Sequence, residues 1–95
     1  MIYFSKMILS VDTLDYTKGL LQRITAFEKL LEKYHIHREK VVLVQVCVQS
    51  RHEDGETLLQ QLQARVETLN RSELAIGSIL LYFDNKKLYF LGTHY

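Results

Sequence analysis

Apolar residues fall into four continuous runs and two periodic ones, and each predicts an element. Residues 6–11, KMILSV, set Met7, Ile8, Leu9 and Val11 almost side by side. That is the pattern of a strand covered on both faces. A polar loop follows over 12–17. Over 18–34, Leu20, Ile24, Phe27, Leu31 and Tyr34 recur every three or four positions, with Leu30 beside them. They draw one apolar stripe along a helix. Lys29, Glu32 and Lys33 fall off the stripe, on its solvated side. Asp15 and Thr17 are candidate N-caps, because short oxygen-bearing side chains satisfy the first free N–H groups of a helix. After a linker over 35–39, residues 41–48, VVLVQVCV, are unbroken and β-branched, as in a fully buried central strand of a parallel sheet. A second stripe, Leu59, Leu62, Val66 and Leu69 with Leu58 adjacent, predicts a helix over 56–69. Asp54 is its candidate cap, and Asn70 and Arg71 end it. The runs 79–83, ILLYF, and 88–91, LYFL, flank Asp84, Asn85, Lys86 and Lys87, which predicts a β-hairpin with a four-residue loop.

A strand, a helix and a second strand make a βαβ unit with a right-handed crossover. The fold class is therefore α/β, a β-α-β-α unit followed by a terminal β-hairpin. In open α/β sheets, ligands bind beyond the carboxyl ends of the strands. The loops at 12–17 and 49–55 both leave such ends, so they share an edge, and that edge is the candidate site. Lys18 and Gly19 open the first helix there. Helix N-terminal N–H groups carry partial positive charge and accept anions. Gly19 lets backbone approach a ligand closely, and Lys18 adds a full charge.

Composition narrows the field. Ninety-five residues bound the chain to one domain at most. With 47% hydrophobic and 24% charged residues it has the make-up of a soluble globular protein. A net charge of +1 gathers neither nucleic acid nor an anionic membrane. The tyrosines and phenylalanines sit in apolar stripes rather than among basic residues, which also argues against nucleic acid. Any anion binding has to be local. No apolar run is long enough to span a membrane, and residues 1–4 are too few for a signal-peptide core. The single cysteine, Cys47, has no internal partner and fits a reducing compartment, so the cytoplasm is expected. Set in an apolar strand, it reads as an inert core thiol. His35, His37, His52 and His94 lack cysteine or acidic partners at ligand spacing, so no metal is expected. No nucleophile–base motif and no glycine-rich dinucleotide fingerprint occurs, so no cofactor is expected either.

The letters around the first loop are more specific than their chemistry. Val11-Asp12-Thr13-Leu14-Asp15-Tyr16-Thr17-Lys18-Gly19 resembles the V-x-R-L-D-Y-x-K-G signature of the α,α-trehalose-phosphate synthases, glycosyltransferase family 20. The likeness continues through Gln22-Arg23, Ala26-Phe27-Glu28, Leu31-Glu32-Lys33-Tyr34 and Lys40-Val41-Val42-Leu43-Val44-Gln45-Val46. It reaches Val48-Gln49-Ser50-Arg51, similar to the family's V-P-S-R. It is close over residues 7–51, looser over 52–69, and thin beyond Asn70.

The resemblance implies the nucleotide-sugar-binding Rossmann-like domain of a GT-B glycosyltransferase, with 6–69 the family-like part and 70–95 divergent. Its substrates would be UDP-glucose and glucose 6-phosphate, joined with retention and without a required metal. Lys18 and Gly19 would hold the donor diphosphate, and Arg51 the acceptor phosphate. By residue type alone, Lys18 is an exposed helix-start lysine, and Arg51 a loop arginine paired with Glu53 or Asp54. Thr13 replaces the signature arginine. A planar, bidentate, permanently charged clamp becomes at most one neutral hydrogen bond. Gln49 replaces the proline before Ser50, which leaves that loop less rigid.

Two functional expectations follow. One is a fragment or truncated paralogue of trehalose-phosphate synthase, inactive alone. The other is a non-catalytic interaction module, because a βαβα piece leaves an apolar strand edge open to pairing. Its partner would be a second copy or a full-length synthase subunit.

Overall fold

Each apolar run becomes a strand, and each stripe a helix. The computed structural model describes residues 4–49, 55–75, 77–84 and 86–89, the last four by their backbone alone. In chain order come β1 (Lys6–Thr13), α1 (Leu20–Lys33), β2 (Val41–Val48), α2 (Gly55–Arg71), β3 (Ile79–Phe83) and β4 (Lys86–Tyr89). They form one sheet in the order β1-β2-β3-β4. The first three strands are parallel, with Ile8 opposite Leu43 and Leu43 opposite Ile79. β4 runs antiparallel to β3. The α/β class and the βαβα order stand as expected.

The core lies between the helices and one face of the sheet. Leu20, Ile24, Phe27 and Leu31 of α1 meet Leu58, Leu62, Val66 and Leu69 of α2 over Leu43, Cys47, Ile79 and Leu81. The spacing that suits a helix stripe decides which residues meet: α1 buries four of its five predicted positions. Tyr34 is the exception, 46% exposed, because the helix stops at Lys33 and the chain turns away. Of the adjacent pair at the start of the α2 stripe, Leu58 is the buried one and Leu59 only packs at the margin of the core. Arg65 of α2 and Glu28 of α1 are paired at 2.6 Å across the outside of the two helices. Arg38 Nε donates to Leu31 O at 2.8 Å and satisfies one carbonyl of the last turn of α1.

Two expectations are overturned, the full coverage of β1 and the full burial of β2. β1 is not covered on both faces. It lies at the end of the sheet, and Met7, Leu9 and Val11 are 63%, 62% and 60% exposed. β2 is central but open on one side: Val44 and Val46 are half-buried, and Val48 is exposed. The reason is that both helices pack on the same face. A doubly wound sheet carries helices on both, and the apolar composition of β1 and β2 suits that fuller environment.

Two boundaries also move. The hairpin turn is tighter than four residues, since Lys86 pairs with Phe83 and Lys87 with Tyr82. Of the strand predicted over 88–91, residues 90 and 91 lie outside the described residues. Nor does α1 begin at Lys18. Tyr16–Lys18 forms a short 3-10 turn, and the helix starts one residue past Gly19.

Candidate functional site

The carboxyl end of the parallel sheet is built by backbone geometry before any side chain acts. Leu14 N donates to Val48 O at 2.9 Å, which holds the exits of β1 and β2 side by side. Thr13 stands opposite Val48 there, exposed. Asp15 then caps the 3-10 turn rather than the helix, its Oδ1 accepting from Thr17 N at 2.9 Å. Lys18 ends that turn, exposed. Gly19 adopts φ 68° and ψ 33°, a left-handed backbone that costs a residue with a Cβ more than it costs glycine. Gly19 is also the N-cap of α1, and having no side chain it supplies no capping oxygen. Its first internal bond is Arg23 N to Gly19 O, at 2.9 Å. The helix thus opens onto the sheet edge with Lys18 beside its first turn.

The second loop meets the first. A Cβ on Gly55, at the start of α2, would sit 3.4 Å from Leu14 O and 3.6 Å from Leu14 Cβ. Those are ordinary van der Waals distances, so the start of α2 packs directly against the first loop. Tyr16 Oη donates to Gln61 Oε1 at 2.9 Å and ties the 3-10 turn to α2. Across β2, Gln49 N donates to Asp84 Oδ1 at 3.3 Å, and Asp84 N to Cys47 O at 3.0 Å, so the exit of β3 joins the same edge. The structure therefore brings Thr13, Lys18 and Gly19 to the edge where the 49–55 loop begins. Arg51, and the candidate cap Asp54, lie outside the described residues.

Behind this edge sits a polar cluster that the sequence patterns did not reveal. Gln45 is fully buried in the middle of β2. Its Nε2 donates to Asp12 Oδ2 at 3.1 Å, and its Oε1 accepts from Arg23 Nη1 at 3.0 Å. Arg23 Nη1 also donates to Asp12 Oδ2 at 2.6 Å, and Ser10 Oγ to the same oxygen at 2.8 Å. A usable signal was present. Gln45 is the one polar residue in an eight-residue apolar strand, and a buried amide needs partners. The cluster joins the end of β1, the first turns of α1 and the centre of β2. It fixes how β1 delivers Thr13 to the edge.

The cluster also sets the charge state of Asp12. Burial alone pushes its carboxyl up. Hydrogen bonds from Gln45, Ser10 and Arg23, with the Arg23 charge, overcome that, and the net shift is below the usual 3.8. A carboxyl depressed in the folded state stabilises it above the unfolded value, and the contribution is lost as pH falls through the folded one. Urea titrations of the wild type are therefore expected to show stability falling from about pH 5 toward pH 2. In Asp12→Asn that loss should be smaller. At pH 7 the variant should be less stable by about 1 kcal/mol, since the ion pair is partly exposed. An equal acid loss in both proteins would show that Asp12 is not the titrating group. Cys47, at the same level of the sheet, is buried, and burial together with the Asp12 charge pushes its thiol up to about 11. That is an unreactive core thiol. Among the described residues, no group of three His, Cys, Asp or Glu side chains gathers to hold a metal ion. No described helix is long and apolar enough to cross a membrane.

The arrangement has counterparts among known proteins. The trehalose-6-phosphate synthase of Mycobacterium ulcerans is 35% identical over 80 residues, which is 82% of this chain and 16% of that protein. The UDP-forming α,α-trehalose-phosphate synthase A of Dictyostelium discoideum is 42% identical over 65 residues, 68% of this chain and 9% of that one. A crystal structure of the UDP-forming enzyme from Burkholderia xenovorans, in complex with glucose-6-phosphate, superposes with a TM-score of 0.71 at 34% identity. It covers 88% of this chain and 19% of its own. The chain thus spans less than a fifth of these relatives and corresponds to one segment of a GT-B synthase. The sequence profile of glycosyltransferase family 20 matches residues 3–88. That carries the likeness past Asn70, where the letters alone had thinned, through β3 and into β4. A parallel β1-β2-β3 sheet, a helix that starts behind a Lys-Gly turn, and a match over nearly the whole chain lead to one conclusion: this chain belongs to glycosyltransferase family 20.

Proposed function

We propose that this chain is a remnant of the donor-binding half of a trehalose-phosphate synthase, retaining a phosphate-binding edge but not transfer activity by itself. It is one partial domain over residues 1–95, with the βαβα unit at 6–69 and the hairpin in 70–95, working in the cytoplasm. The single observation that supports it is the start of α1, with Gly19 left-handed as its N-cap and Lys18 exposed beside it. Free N–H groups and a lysine at a sheet's carboxyl end suit a diphosphate. Lys18 and Gly19 take the diphosphate of UDP-glucose, and Arg51 the phosphate of glucose 6-phosphate. Thr13 weakens the donor site. Losing one charge-assisted contact costs about 1.5–3 kcal/mol, roughly one to two decades of affinity.

Titration of UDP-glucose into labelled protein, followed by backbone amide shifts, tests this. Shifts are expected at residues 13–19, lost in Lys18→Ala and saturating at roughly ten- to hundredfold lower concentration in Thr13→Arg. Glucose 6-phosphate is expected to move the amides of Ser50 and Arg51. A dispersed spectrum untouched by either ligand would remove the ligand-edge reading. A second reading, the interaction module, is favoured by a separate observation: among the described residues, the apolar strand β1 ends the sheet and leaves one face exposed.

A further inference from the structure

The turn that carries Lys18 is gripped at both of its ends by one ion pair. Asp12 is the last residue but one of β1, and Arg23 lies in the first turns of α1. The whole segment 13–19 runs between them. Arg23 Nη1 meets Asp12 Oδ2 at 2.6 Å, so the pair closes that segment into a loop with fixed ends. Gln45 ties the clasp to the sheet, from a strand bonded to a neighbour on each side. Its amide serves both charges with the right polarity: Nε2 donates to the carboxylate, and Oε1 accepts from the guanidinium. A flipped amide would set donors against the guanidinium and its oxygen against the carboxylate, so its orientation is determined. Every other residue of β2 is apolar, and a leucine would fill the same buried place. Burying an amide is unfavourable unless it is hydrogen-bonded. What the amide adds over a leucine is the orientation of Asp12 and Arg23.

We propose that Asp12, Arg23 and Gln45 are positioning residues of the ligand edge: their three-way contact sets where the turn and the start of α1 stand on the sheet, and the affinity of that edge for the diphosphate of UDP-glucose depends on it. The proposal rests on the phosphate reading and adds the groups that support its site. The turn's own bonds are local. Thr17 N to Asp15 Oδ1, Lys18 N to Asp15 O and Gly19 N to Tyr16 O all lie inside it. They shape the turn but leave its direction open. Leu14 N to Val48 O and Tyr16 Oη to Gln61 Oε1 hold it to β2 and α2. The Asp12–Arg23–Gln45 contact holds the start of α1 to β1 and β2. Groups that must converge on one ligand lose up to roughly a hundredfold on a displacement of about 1 Å. The Arg23 and Asp12 side chains stay 33% and 20% exposed, so the pair adds only modestly to stability. Its role in placing the turn is therefore separable from its role in holding the fold.

Gln45→Leu and Arg23→Gln test it in the full chain, by amide hydrogen exchange and by UDP-glucose titration. Both are expected to stay folded by circular dichroism, since leucine suits an apolar strand and Arg23 is partly exposed. The amides of Leu14 and of residue 23 fasten the segment to Val48 O and Gly19 O. They are expected to exchange roughly tenfold faster, while the Leu43 amide, bonded to Ser78 O, keeps its wild-type rate. Saturating the shifts at residues 13–19 should then take roughly tenfold more UDP-glucose. A contact that only holds the fold would speed all three amides together, and that result overturns the proposal. Unchanged rates at 14 and 23 overturn it too, as does equal UDP-glucose affinity in the wild type and both variants. A wild type whose amides ignore UDP-glucose removes the phosphate reading instead, and exchange at 14 and 23 then decides whether the contact positions the turn. If Gln45→Leu does not fold, Arg23→Gln carries both measurements.

Discussion

Leu62→Ala is expected to lower the free energy of unfolding by about 2–5 kcal/mol. Leu62 is fully buried, at the centre of the stripe by which α2 covers the sheet. Truncation removes its transfer free energy and leaves a cavity that neighbours fill only in part. Two features push the effect toward the upper end. The neighbouring core leucines and valines of both helices are themselves almost wholly buried, so little can move inward without opening another gap. Only one face of the sheet is packed, so a single layer of contacts holds both helices. A domain of this length has a total stability of about 5–14 kcal/mol, and the variant loses a large part of it. Urea denaturation should show a lower midpoint with the slope unchanged. Leu62→Met keeps volume and should cost less than about 1.5 kcal/mol. If both substitutions cost the same, the packing described around α2 is wrong.

Asn70→Ala should cost nearly as much for a different reason. Asn70 is a buried polar residue on the last turn of α2, and its amide reads the backbone of the first residue of β3. Nδ2 donates to Ile79 O at 2.8 Å, and Oδ1 accepts from Ile79 N at 3.0 Å. Alanine leaves both Ile79 groups buried without their partner. Each unsatisfied group costs about 1–3 kcal/mol. Asn70→Asp separates polar matching from packing. The carboxylate still accepts from Ile79 N but opposes Ile79 O, so it should remain well below wild type despite nearly equal volume. The direct readout is hydrogen exchange at the Ile79 amide, which should speed up in Asn70→Ala before global unfolding does. An Ile79 amide that stays protected would mean that β3 is held by the β2 ladder alone. The hydrogen bond Gly77 N to Asn70 O, at 3.2 Å, would survive either substitution, so the loop before β3 should stay closed.

Local patterns carried most of the fold. The stripe Leu20, Ile24, Phe27, Leu31 and the run at 41–48 fixed a helix and a strand because periodicity is a property of neighbouring residues. Tyr34 failed the same test because a stripe does not say where its helix stops. Asp15 was legible as a cap, but what it caps is a 3-10 turn. That choice depends on Gly19 taking a left-handed backbone four residues further on, which residue type permits without requiring. The Lys18-Gly19 edge was legible through the family letters far more than through chemistry, since an exposed lysine beside a glycine has many uses.

The sequence by itself determined the βαβα order, the helix stripes, the family and the loop that carries Lys18. These follow from local periodicity and from letters that stand side by side. Only the tertiary structure decided that both helices share one face and that β1 ends the sheet with its apolar side open. It also decided that Asp12, Arg23 and Gln45, spread over three elements, meet around one carboxylate oxygen. The physical reason is that burial belongs to what a residue is placed against. A run such as KMILSV records the affinity of a strand for covering layers, and where those layers sit is settled by packing across the whole chain.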